Sequence, residues 1–517
     1  MGQCVQRLSS IARRRCGSRH ATQLELSLVA SGDGVHAEPI ASRSRGIVEG
    51  IFMVAPAVQK SFRFARPAPA APTARPRLMS RTSLALDNLR GIVILIVLAF
   101  HSALAYVSWI TATAHFDSPP YNWRAFPIVD PHRFFGFDLF CAWQDVYLMS
   151  LMFFLSGLFV WPSLMRKGNW PFVRDRILRL GLPYVFGIAV VIPIAIYPAY
   201  AVRTGDPDLS GYWHALLALP FWPNGPLWFL WQLLALNLLA ALVFWLAPNA
   251  IAQLGRWSAV APRRVGLYFL ALVAASALAY VPPALAFTPW TWSNSGWFAV
   301  QLCRPLQYAV YFCAGVGIGM PGIDRSLVAA DGPLPRNWAR WLAAAVGSLA
   351  LWMGLTDLTL NGGTSLGIKA ASDFAYVLAC AAGCFFLIAA TLRFAAKRSP
   401  ILGNLGADAY ALYLLHYVFV VWLQYALLAL PLPAVLKAAV VFAVTLICTW
   451  TTASAVQRIP FGARLIGSTR RPVAAPVPAA PPGSARRSRA GEAQSTRRSG
   501  VHPDPALPTP RTDSAIG

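Results

Sequence analysis

Apolar residues fall into ten long runs separated by short polar segments. Their approximate limits are 89–110, 144–162, 178–201, 226–248, 265–287, 302–320, 339–358, 373–394, 409–430 and 434–455. A helix needs about 20 predominantly apolar residues to cross a bilayer. The pattern therefore predicts an all-α fold, a polytopic membrane bundle of about ten transmembrane helices. A Trp-rich stretch, 212–223, precedes the fourth run and is expected to lie in the membrane interface. Residues 1–78 lack sustained periodicity and are rich in Arg, Ala, Pro and Ser; RPAPAAPTARPR within them reads as a disordered linker. Residues 467–517 have a similar Pro/Ala/Ser/Arg bias and are expected to be a disordered cationic tail. The expected organisation is thus a basic Pro-rich segment (1–78), a membrane domain (79–466) and a tail (467–517). Met79 stands just before the first run. Translation from Met53 or Met79, rather than Met1, is the corresponding expectation.

Composition supports a membrane solvent. Of 517 residues, 56% are hydrophobic and 12% charged, and the mean hydropathy is +0.51. A soluble chain carries about 25% charged residues. The net charge of +24 invites nucleic acid as a partner. Its distribution argues against one, because many of the cations sit in the tails and in short loops between apolar runs. Eight cysteines are present, with no CxxC. Cys380 and Cys384 lie four apart in one apolar run. They read as small buried residues, with neither a disulfide framework nor a metal site implied.

Loop charge gives direction. One alternate set of loops holds thirteen Lys and Arg residues: Arg166, Lys167, Arg174, Arg176, Arg179, Arg256, Arg263, Arg264, Arg325, Arg336, Arg393, Lys397 and Arg398. The other holds four: Arg124, Arg133, Arg203 and Lys369. The positive-inside bias puts the first set and both termini in the cytoplasm.

The first run, DNLRGIVILIVLAFH, carries candidate chemistry. Ionisable groups in a membrane span are costly and usually functional. Arg90 and His101 are eleven residues apart. At 100° per residue that is about 20° past three turns, so they share a helix face about 16 Å apart along the axis. Asp87 precedes Arg90 by three, a pairing distance on a helix. Arg90 is expected at the cytoplasmic mouth and His101 about halfway to two-thirds across. Neutral imidazole suits proton abstraction, and arginine suits an anionic group such as phosphate. The residues alone also permit a packing histidine with a topology arginine.

LDNLRGIVILIVLAFH resembles the start of the acyltransferase-3 family of integral membrane acyltransferases, whose signature is an arginine, ten residues, then a histidine. MFFLSGLFV at 152–160 is similar to the family's FF-x-SG segment. RDRILRLGLPY at 174–184 is similar to its arginine-rich loop ending in proline, GPLWFLWQL at 225–233 to its Trp-containing helix start, and GADAYALYLLHYVFV at 406–420 to its late YxLH segment. The resemblance spans about residues 84–455. Asn88 departs from it, standing where the family commonly has glycine, and the external segment 111–143 is long.

The resemblance implies O-acylation. A cytoplasmic acyl-CoA donates an acetyl- or succinyl-class group to a hydroxyl of an extracytoplasmic glycan or other envelope acceptor, across the inner membrane and with no bound cofactor. His101 would then be the general base or a transient acyl carrier, and Arg90 would orient the donor. Arg174, Arg176 and Arg179 would offer its phosphates a cationic surface, a role that topological charge explains equally well. His416 would contact the donor, hydrogen-bond across the bundle near Arg90's level, or be purely structural. Trp228 would be a belt residue or a sugar-stacking platform. Ser156 and Gly157 are expected to permit close helix packing, Arg304 to snorkel outward, and Asp145 and Asp373 to sit at external helix ends. The rival from a different class is a proton-coupled transporter or flippase, for which no internal repeat is evident.

Overall fold

A computed structural model describes residues 79–466, apart from 113–114, 206 and 363–364. The expected disordered segments 1–78 and 467–517 lie outside the described residues. The described chain is helical with one short hairpin, so the predicted class holds. It contains nine helices long and apolar enough to cross a membrane.

Helix α1 spans Arg81–Ala103, started by Ser80, whose hydroxyl accepts from the Ser83 amide. Helix α2 is Phe135–Gly157, and α3 is Val160–Lys167. Helix α4, Asn169–Thr204, contains two π turns, Ile177–Gly181 and Gly187–Val191. Each ends two residues before a proline, Pro183 or Pro193. Proline supplies no N–H to the ladder, and the wider turn absorbs the missing bond. The predicted interfacial stretch forms helix α5, Leu209–Leu217. Tyr212 of α5 is buried and donates to the Pro193 carbonyl at 2.5 Å. Burial raises the pKa of that hydroxyl.

Helix α6 is Trp228–Leu246, α7 Pro248–Ser258 and α8 Val265–Phe287. Strands β1 (Trp292–Ser295) and β2 (Phe298–Gln301) pair antiparallel, with Ser295 opposite Phe298. Their two-residue turn needs positive φ, supplied by Gly296 at +54°. Helix α9 is Pro305–Gly319, α10 Trp338–Leu360, α11 Leu366–Phe394, α12 Pro400–Ala426 and α13 Ala434–Gln457.

The sixth predicted span differs. Helix α9 has 15 residues, about 22 Å at 1.5 Å each and short of the roughly 30 Å hydrocarbon core. It lies parallel to α2. Arg304, just before it, meets Asp145, while Gly319 packs on Leu158. The chain spends residues 292–301 on the hairpin instead of extending α9. Glycines let α9 sit this close. A Cβ on Gly157 would lie 2.9 Å from the Val316 nitrogen, as expected of a packing residue. Cys380 and Cys384 are buried in α11.

Helix α1 nests against α12 in the same way. A Cβ on Gly91 would sit 2.5 Å from the Leu402 carbonyl oxygen. Asn88 gives its amide to the Ala395 and Lys397 carbonyls at 2.7 and 2.8 Å, closing the end of α11. The departure from glycine at 88 therefore has a structural use.

Candidate active site

The site begins at the end of α1. The helix starts at Arg81, eight residues before the apolar run, so His101 falls in its last turn. Arg90 lies nine residues after the start of the helix, two to three turns from its N-terminus. As predicted, it pairs with Asp87, at 2.9 Å. Its guanidinium also stacks over Phe159, 4.6 Å from the ring centroid.

His101 sits in a cavity of about 690 Å³. Its Nδ1 lies 2.9 Å from the Val97 carbonyl oxygen. Phe100 and Tyr417 pack edge-on to the imidazole, with centroids 5.1 and 5.6 Å away. Gln424 of α12 donates to the His101 carbonyl at 2.9 Å, tying down the backbone where α1 ends.

His416 stands against His101, their ring centroids 4.9 Å apart, with Nε2 3.3 Å from His101 Nδ1. Counting from Ala409 puts His416 two turns into its helix, near Arg90's level. Ser399 caps α12 much earlier and Pro400 occupies its first turn, so the helix has already run 16 residues by His416. That carries His416 to the His101 level. The polar, glycine-containing stretch 400–408 hid this start.

The cavity walls are aromatic. Trp109, Tyr121, Trp228, Trp290 and Trp292 line the cavity. Trp228 is therefore more than a lipid-facing belt residue. It stacks on Tyr308 and meets Trp292 edge-on. The hairpin is stitched to the bundle through its backbone. Tyr184 and Asn224 both donate to the Trp297 carbonyl, and Trp231 donates to Ala299 at 3.1 Å.

Four charged side chains also line the cavity, Arg124, Asp138, Asp145 and Arg304. Arg304 forks onto Asp145, NH1 to Oδ1 at 3.1 Å and NH2 to Oδ2 at 2.5 Å. Its side chain is only 6% exposed. It does not snorkel outward, because the half-buried carboxylate of Asp145 holds it in place. Asp145 is thus engaged rather than free for a ligand. Asp373 is buried on α11 and does not line the cavity.

Within the 107–134 segment, residues of 107–110 and 121–126 roof the cavity. Asp138 accepts from both the amide and the hydroxyl of Ser108. Trp123 is fully buried and stacks on Phe116, with centroids 4.4 Å apart. Arg124 lies 4.2 Å over the Phe221 ring. Beneath the roof, Asp130 and Lys437 form a fully buried ion pair at 2.7 Å. Sequence reasoning missed this pair. Its signal was a lysine in the first turn of an otherwise apolar helix, where the dipole disfavours a cation.

The remaining predicted residues lie elsewhere. Arg174 and Arg179 are exposed, and Arg179 pairs with Asp175 at 2.8 Å. Arg176 stacks over Phe172 at 4.8 Å, with its Nε buried and unpartnered. All three belong to the arm that packs beside α3, and α3 follows Phe159, the ring under Arg90. The structure thus separates a cationic end, holding Arg90 and these arginines, from a cavity end, holding His101, His416 and Trp228. Among the described residues, no three His, Cys, Asp or Glu side chains converge as metal ligands.

Among the described residues, nine helices long and apolar enough to cross a membrane surround an aromatic cavity with an ionisable pair at its foot, the frame of a membrane enzyme. The family described as Acyltransferase domain (Acyl_transf_3) matches residues 83–454, and the chain belongs to it as a membrane acyltransferase. No curated protein and no solved structure matches the chain.

Proposed function

We propose that this acyltransferase moves an acetyl- or succinyl-class acyl group from acyl-CoA at the Arg90 end to a glycan hydroxyl in the His101 cavity. The observation that carries the reading is the position of His101, at the foot of a cavity walled by tryptophans. Aromatic faces of this kind suit the apolar faces of sugar rings. The thirteen-to-four bias of loop cations orients the Arg90 end to the cytoplasm. In this reading the short α9, parallel to α2, makes the tenth crossing, the enzyme lies in the inner membrane with both termini inside, and the acceptor is outside.

In this reading His101 Nε2 takes the proton of the acceptor hydroxyl as its oxygen attacks the thioester carbonyl carbon. The tetrahedral adduct collapses, and the C–S bond breaks. The imidazolium returns its proton to the departing thiolate. The products are an oxygen ester and free coenzyme A. Arg90, held by Asp87, orients the donor, and Arg174, Arg176 and Arg179 attract its phosphates. The donor's pantetheine arm must then span about 16 Å of helix to deliver the thioester.

Purified protein supplied with acetyl-CoA or succinyl-CoA and glucan oligosaccharides should release free thiol only when the acceptor is present. His101→Ala should lower that rate about 10²- to 10⁴-fold, the usual contribution of a general base. Full transfer by His101→Ala would remove the histidine from the mechanism. Mass spectrometry of envelope glycans from cells lacking the gene tests the acceptor class. An unchanged acylation pattern would exclude glycans.

A further inference from the structure

We infer that His416 is a positioning residue, which locks His101 in the tautomer whose free nitrogen faces the cavity and shares the charge that forms on it. The inference rests on the base role proposed for His101.

The tautomers follow from what each nitrogen touches. The Val97 carbonyl, 2.9 Å from His101 Nδ1, can only accept, so that nitrogen carries the proton. The Tyr413 carbonyl, 2.7 Å from His416 Nδ1, likewise fixes the proton of His416 on Nδ1. A neutral His416 then has a lone pair on Nε2. That lone pair lies 3.3 Å from His101 Nδ1, where it accepts a second branch of the same N–H. Both acceptors bind one proton, and both oppose its migration to the other ring nitrogen. His101 Nε2 is left with its lone pair.

The same contact acts after proton transfer. His101 becomes cationic when Nε2 takes the acceptor's proton, and its Nδ1–H then becomes a stronger donor. His416 Nε2 is aligned to receive that bond, and the burial of His416 strengthens the interaction. His416 cannot turn away. It is completely buried, and its other nitrogen is held by its own helix. Tyr413, which supplies that carbonyl, is itself tied through its hydroxyl to the Pro226 carbonyl beside the Trp228 helix. The chain of contacts thus runs from the aromatic wall through His416 to His101.

A glutamine can place its carbonyl oxygen near the Nε2 position of the histidine it replaces; an asparagine reaches only the Nδ1 position. The test compares His416→Gln, His416→Asn and His416→Leu, purified in detergent, using thiol release from acetyl-CoA or succinyl-CoA with glucan oligosaccharides. His416→Leu and His416→Asn should lose kcat roughly 10- to 100-fold, as loss of the partner that orients a functional histidine does elsewhere. KM for donor and for acceptor should change less than about twofold, because no binding contact is removed. His416→Gln should recover kcat to within a few-fold of the parent. If His416→Leu does not fold, the Gln and Asn variants carry the comparison alone. Parental kcat in His416→Asn, or equal loss in His416→Gln and His416→Asn, overturns the inference. His101→Ala run in parallel separates the two ideas. If it keeps full activity, the base reading fails first. If it is inactive while His416→Asn is parental, only the role of His416 fails.

Discussion

Replacing Lys437 by methionine should destabilise the protein more than almost any other single change at the cavity end. Lys437 and Asp130 are each 0% exposed and 2.7 Å apart. At that distance and an effective dielectric of about 20, their attraction is about 6 kcal/mol. Much of it offsets the cost of taking two ions out of water. Removing only the lysine forfeits the attraction yet keeps the buried carboxylate. Asp130 retains the His132 amide at 2.8 Å, and the Leu428 carbonyl loses its 3.3 Å contact with Nζ. The expected loss is about 3–5 kcal/mol, the usual result of breaking a buried pair from one side. Asp130→Asn together with Lys437→Met should cost less than Lys437→Met alone, because no unpaired charge then remains. Denaturant titration in detergent micelles reads Lys437→Met, the double variant and Asp130→Asn alone. Limited proteolysis gives a local reading, since Asp130 anchors the 107–134 roof to α13. The single variant should open that segment to cleavage. If Lys437→Met lies within 1 kcal/mol of the parent, or if the two losses simply add, the pair does not hold the roof and the reasoning is wrong.

Two other predictions address packing and substrate. Gly157→Ala should lower stability by about 1–3 kcal/mol, because the new methyl meets the α9 backbone, including Val316 N at 2.9 Å, and backbone cannot rotate away; an unshifted melting curve would argue against the close α2–α9 approach. Trp228→Ala should raise KM for a glucan oligosaccharide severalfold while leaving KM for acyl-CoA unchanged, since stacking is worth about 0.5–1.5 kcal/mol. A selective rise in the donor's KM would place the donor, not the acceptor, against the tryptophans.

The bundle was legible in the sequence because length and hydropathy are enough to mark a span. Boundaries were not, for physical reasons visible at three helices. Helix α1 begins in RTSLALD and α12 in PILGNLGAD, polar-containing stretches that hydropathy assigns to loops. A capping serine and a helical proline start both or one of them early. That error alone moved His101 to the helix end and His416 up to His101's level. Helix α9 was overestimated because its apolar run, 302–320, begins three residues before the helix starts at Pro305. Within the site, Arg90 with Asp87 was readable, since both lie on one helix at a fixed spacing. The partners of Arg304 and Lys437 were not. Each pairs with a residue more than a hundred positions away, and no periodicity encodes such a distance. The cavity was also hidden, because its walls come from the loop after α1, the hairpin and five helices.

The position of Gly91 bears on why one helix can carry both ends of the proposed reaction. Arg90 and His101 keep a fixed separation only if α1 neither slides nor rotates against its neighbour. Backbone contact sets that registry more rigidly than side-chain contact, because flexible side chains can repack and backbone cannot. Gly91 meets the Leu402 backbone, and Gly406 meets the Asp87 backbone. Asn88 adds two hydrogen bonds to α11 between those contacts. The helix is therefore clamped within one turn of Arg90. At the other end, Gln424 and His416 of α12 hold His101. Both clamps use the same partner helix, so α1 and α12 form a single rigid ruler between the cationic end and the cavity. A donor bound at one end would then meet the imidazole at a set reach, with no large helix motion required for transfer.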